Sequence, residues 1–125
     1  MAERYELSGD FQFFLLCHCT KDTGSDHAAN LFAKASTLTW LQGESNVKAY
    51  QNPSSMHVKS FCKKCGAALP TIAKSINSVV VPAGSLDSPI SIETTANIFV
   101  SSGASWSRNL DSVPNYEELP THVKN

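Results

Sequence analysis

The four cysteines of this chain fall into two tight pairs, and those pairs constrain the fold more than any other feature. Cys17 and Cys19 flank His18 directly after the apolar run "FQFFLL", and Cys62 and Cys65 sit in "SFCKKCGAALP". On a strand, side chains alternate between faces, so Cys17 and Cys19 point one way and His18 the other. Two sulfurs on one face can reach one metal ion, and His18 is then expected to be an onlooker. The second pair has C-x-x-C spacing followed by Gly66, the pattern of a zinc knuckle, in which a tight turn aims backbone N–H groups at the sulfurs. A thioredoxin-like redox pair would need a helix here, which Gly66 and Pro70 oppose. Plain buried thiols are the other rival. Lys63 and Lys64 favour thiolate, the form that binds metal.

The 125 residues suit one domain, 1–125, with a modest core. A net charge of -1 gives no electrostatic footprint for nucleic acid or an anionic membrane. Glu3 and Glu6 beside Arg4 spoil an export signal, and no stretch is long enough to cross a bilayer. The expectation is a soluble cytoplasmic protein whose thiols stay reduced, where paired cysteines favour metal over disulfides. Four thiolates closing one site around Zn2+ would contribute about 10–16 kcal/mol in a small domain.

Turn residues punctuate the chain often, so strands are expected at 4–7, 11–19, 29–33, 38–41, 47–50, 57–61, 78–81 and 97–101. "INSVVVP" and "ANIFVSS" carry the β-branched and aromatic residues of half-buried strands. A short helix is conceivable near 26–29. With no helix long enough for a crossover, antiparallel pairing is expected. The segment "VPNYEELPTHVKN" reads as an irregular tail laid over the sheet, anchored by Tyr116 and Leu119. Asp22, beside "TGS", reads as a turn-capping residue before it reads as a ligand, and Asp87 as a turn former. His27 suits a capping or surface role, His57 a sheet face and His122 a solvated tail. Trp40 and Trp106 read first as core packing.

In order, "CHC…KDTGSDHAANLFA", "WLQGESNVKAYQ", "KSFCKKCGAALP", "VVVPAGSLDSP" and "IFVSSGASW" resemble the glutathione-dependent formaldehyde-activating (GFA) family over about 4–120. The resemblance implies a mainly β, Mss4-like antiparallel fold. It implies Zn2+ held by cysteine, and carbon–sulfur lyase chemistry on adducts of a small thiol such as glutathione. The family pattern has a structural site, from C-x-C-G and a later C-x-x-C-G, and a catalytic site, from C-H-C-x-x-C. Here no C-x-C-G precedes "RYEL", and the third cysteine of the catalytic motif is missing: its place falls on Asp22 when counted from Cys19, whereas matching on "KDTGS" instead puts a loss of about three residues between Cys19 and Lys21. Of the usual metal cysteines Cys17, Cys19, Cys62 and Cys65 match. Three arrangements stay open: two separate two-sulfur sites, one merged four-sulfur site, or a core that folds without metal. The first leaves a position for substrate; the second is closed and structural. A degenerate, zinc-stabilised binding or structural module is the alternative to an enzyme.

Overall fold

A computed structural model describes residues 3–54 and 57–120. The elements run β1 (Arg4–Ser8), β2 (Phe13–Cys17), α1 (Thr20–Thr23), β3 (Ala28–Lys34), β4 (Thr37–Gln42), β5 (Val47–Gln51), β6 (Val58–Cys62), β7 (Ala68–Leu69), β8 (Thr71–Ala73), β9 (Ser78–Pro82) and β10 (Ala96–Ile98). Single 3-10 turns join several of them. The fold is mainly β, and its sheets are antiparallel but for one pair.

The largest sheet runs β10-β2-β3-β9-β8. Its centre is explained by alternation along two strands. In β3, Leu31 and Ala33 are buried; in β9, Val79 and Val81 are. Pairing sets Leu31 against Val81 and Ala33 against Val79, so the buried set shares one face. Tyr5, Leu7, Phe14, Leu38, Leu86 and Ile90 pack against it. Each fully buried aliphatic side chain contributes about 1.5–3 kcal/mol relative to exposure. β1 pairs with β4, bringing the Tyr5 ring edge-on to Trp40 at a centroid distance of 5.8 Å. A third sheet, β5-β6-β7, is tied to the first by a buried hydrogen bond, 2.7 Å, from the Thr71 hydroxyl to Ser60 Oγ.

The parallel pair is β10 on β2, with Ile98 opposite Cys17. Length of helix does not limit it, because most of the chain lies between the two strands and serves as the connection. The expected strand at 97–101 stops early: Phe99 turns into the left-handed region, φ 53°, and a 3-10 turn follows at Val100–Ser102. The segment near 26–29 is no helix; it leads into β3. The helical turn comes earlier, at Thr20–Thr23, and ends on Gly24 at φ 66°. The expected tail anchors do not hold. Tyr116 and Leu119 are each more than half exposed, and so is Trp106. His122 lies outside the described residues. No helix among the described residues is long and apolar enough to cross a membrane.

Candidate functional site

Strand ends place the chemistry-bearing residues. Cys17 closes β2, where it pairs with Ala28 on one side and Ile98 on the other. The ladder continues one step further, as the His18 amide donates to the Ile98 carbonyl at 3.0 Å. The chain then turns into α1, whose amides at Asp22 and Thr23 bond the Cys19 carbonyl. This turn folds Cys19 back beside Cys17. The Cys19 thiol is held above its usual range, first by the hydrogen bond it shares with Cys17, then by burial and by the negative charge of Cys17 and Asp22.

Asp22 is turned elsewhere. Its carboxylate meets Lys59 Nζ at 3.4 Å and His57 Nε2 at 3.3 Å. His57 therefore pairs with Asp22 just ahead of β6 rather than serving only as a sheet-face residue. The aspartate at the counted position of the missing cysteine ties α1 to β6.

The second pair forms the expected knuckle. The Gly66 amide bonds the Cys62 carbonyl at 2.7 Å, Gly66 sits at φ 78°, and the Lys64 amide points at Cys62 Sγ at 3.4 Å. Cys62 is fully buried and Cys65 exposed. The Cys62 thiol is pushed up, first by the Glu3 carboxylate beside it and then by burial; the amides of Cys65 and Lys64 pull the other way. Glu3 itself is only 2% exposed, and its carboxylate is met by the Cys62 thiol, a weak donor. A buried carboxylate met by so weak a donor is costly. The turn offers Zn2+ a pair of sulfurs, with the Glu3 carboxylate beside Cys62; the three do not bring their ligand atoms within 4.8 Å of one another.

The two pairs lie in different sheets. Among the described residues one group of three His, Cys, Asp or Glu side chains brings its ligand atoms within 4.8 Å of one another, and it holds no cysteine. The four sulfurs are therefore not gathered at one point in this structure.

The converging group is His18, Asp26 and His27. His27 Nδ1 lies 2.7 Å from Asp26 Oδ2, and His18 Nε2 lies 2.8 Å from Asn97 Oδ1. The imidazole beside Asp26 holds its carboxyl below the usual range. His18 also lines a cavity of about 390 Å³ with Asn97, Gly103, Ser105, Ser107 and Arg108. A larger hollow, about 740 Å³, runs along β1 past Glu6, Leu41 and Asp87, and no cysteine lines it.

Sequence reading identified the four cysteines and treated His18 and His27 as secondary. It missed Glu3, Asp26, Asn97 and Arg108. The register offered one signal: continuing β2 and β3 one step past Cys17 and Ala28 sets His18 against His27.

The family described as "Glutathione-dependent formaldehyde-activating enzyme" matches residues 2–102. The chain belongs to this family. Among solved structures, a crystal structure of a Rhodobacter sphaeroides protein matches with a TM-score of 0.56 and 22% identity, over 77% of this chain and 92% of that one. That likeness concerns the fold. No curated protein matches.

Proposed function

We propose that this GFA-family protein is a carbon–sulfur lyase that joins a small thiol such as glutathione to formaldehyde, or cleaves the adduct, at the Cys17–Cys19 pair. The observation that carries this reading is the placement of that pair: two adjoining thiols at the open end of β2, one residue from a cavity bearing Arg108. A Zn2+ held by two protein sulfurs keeps coordination positions free, and would lower the pKa of a bound thiol and polarise a carbonyl.

The residues of the chain do the rest. Arg108 offers a planar guanidinium suited to a carboxylate of the thiol substrate. Ser105 and Ser107 add hydroxyls along the same wall. In the forward direction a sulfur–carbon bond forms, the carbonyl π bond opens, and the thiol proton ends on the new hydroxyl. The Cys62–Cys65 knuckle with Glu3 acts as the structural clamp. All four cysteines are free thiols, and the reading places the protein in the cytoplasm, where thiols stay reduced.

The test follows magnetisation exchange between glutathione, formaldehyde and their adduct by NMR, with zinc supplied. Acceleration above the protein-free rate, lost in Cys17→Ser/Cys19→Ser, supports the reading; a rate equal to the control refutes it. One observation favours a non-catalytic, zinc-stabilised module instead. The carboxylate at the missing cysteine's counted position is engaged by Lys59 and His57, which leaves the pair two protein ligands. That reading predicts zinc retained at the knuckle and no exchange at any glutathione concentration.

A further inference from the structure

His18, Asp26 and His27 bring a ligand atom each to the same place. An amide oxygen only accepts, so the 2.8 Å bond to Asn97 Oδ1 fixes the proton of His18 on Nε2 and leaves Nδ1 with a free lone pair. The 2.7 Å contact of His27 Nδ1 with Asp26 Oδ2 sets a nitrogen and an oxygen side by side, so an ion that takes the place of the proton between them meets both. Two imidazoles and one carboxylate thus meet, one ligand atom from each within 4.8 Å of the others, with the rings 5.5 Å apart.

This is how metal-binding histidines are usually supported. The ring nitrogen away from the ion donates to an amide or carboxylate oxygen, which sets the tautomer and raises the basicity of the ligating nitrogen. Asn97 does this for His18. Bonds of roughly 2.0–2.2 Å to a tetrahedral ion put donors roughly 3.3–3.6 Å apart, and the three residues already bring a ligand atom each within 4.8 Å of the others. The fold supplies the approach: the end of the β2–β3 ladder sets the two histidines across from each other, and β10 brings Asn97 alongside.

We propose that His18, Asp26 and His27 form a nitrogen–oxygen site for a divalent first-row cation, distinct from both cysteine pairs. Its donor set is borderline rather than soft and suits Zn2+, Co2+, Ni2+ or Fe2+. Because His18 also lines the 390 Å³ cavity, positions not filled by protein face a space that takes a small ligand. The site stands whether or not the cysteine pair is catalytic.

The experiment titrates Co2+ into the full chain and reads absorption and paramagnetic NMR. The expected result is one equivalent with visible ligand-field bands and no accompanying sulfur-to-cobalt charge-transfer band, persisting in Cys17→Ser/Cys19→Ser. Paramagnetic broadening should centre on the amides of His18, Asp26 and His27 in the wild type, a map that needs no variant to fold. His27→Ala, at an exposed position, should weaken this equivalent about tenfold to hundredfold, with metal-free thermal unfolding unchanged. Broadening confined to Cys17, Cys19, Cys62 and Cys65 overturns the proposal. So does binding indifferent to His27→Ala, or no Co2+ taken up below millimolar.

Discussion

Replacing Glu3 by methionine should change stability in opposite directions with and without metal. Glu3 is 2% exposed, and what meets its carboxylate is the Cys62 thiol, a donor too weak to satisfy it. Leaving a buried polar group unsatisfied costs about 1–3 kcal/mol, and more when it is charged. Methionine has a similar length, no group to satisfy, and enough flexibility to fill the space. The metal-free Glu3→Met protein should therefore be more stable than wild type by about 1–3 kcal/mol, before any small loss from imperfect packing. For a domain of this size that is an upward shift in melting temperature of roughly 4–15 °C. With zinc the sign turns. The carboxylate becomes an oxygen donor beside Cys62 and Cys65, so the variant should bind zinc more weakly and gain less on loading. Ligand-linked stabilisation grows as the logarithm of concentration over Kd, so a hundredfold weaker site gains about 2.7 kcal/mol less at saturation. Differential scanning fluorimetry with chelator and with saturating zinc reads both arms. A metal-free variant that melts below wild type, or a zinc shift equal in the two proteins, refutes the reasoning.

Other expectations follow from the same geometry. Leu31→Ala, at the fully buried centre of the β3–β9 pairing, should cost about 2–5 kcal/mol in urea unfolding. Asp22→Ala removes an exposed ion pair with Lys59 and should cost less than about 1 kcal/mol, while zinc content by elemental analysis stays unchanged. The Cys19 and Cys62 thiols are raised in the folded, metal-free chain, so they bind protons more tightly there than in the unfolded chain. Their stabilising contribution is complete below the unfolded thiol value of about 8.5 and is lost as pH rises through the folded values. Metal-free stability measured in urea should fall in that range, and Cys62→Ala should flatten part of the slope.

Much of the site could be read from the residue order, because short-range signals fixed it. Gly66 and the C-x-x-C spacing dictate the knuckle, and alternation in "ANLFA" and "SVVVP" marks the buried faces of β3 and β9. What stayed hidden depended on long-range placement. The strand at 97–101 ends at Phe99 because the backbone turns left-handed there, a conformation that a bulky residue does not announce. Glu3 looks like one more surface charge beside Arg4, and only the packing of β1 near the third sheet buries it against Cys62. Asp22 matched a ligand position by counting, yet Lys59 and His57 hold it, and those contacts span the β5–β6 region. The merged four-sulfur site was attractive on ligand count alone. It required ligand atoms from both pairs to gather at one point, and among the described residues no cysteine belongs to a converging group of three.

X-ray absorption at the zinc edge tests the central claim most directly, since it counts the sulfurs around each ion. Two separated pairs predict about two sulfur scatterers per zinc at roughly 2.3 Å, with lighter nitrogen or oxygen atoms completing the shell. A shell of four sulfurs, with a single zinc per chain, would contradict the account.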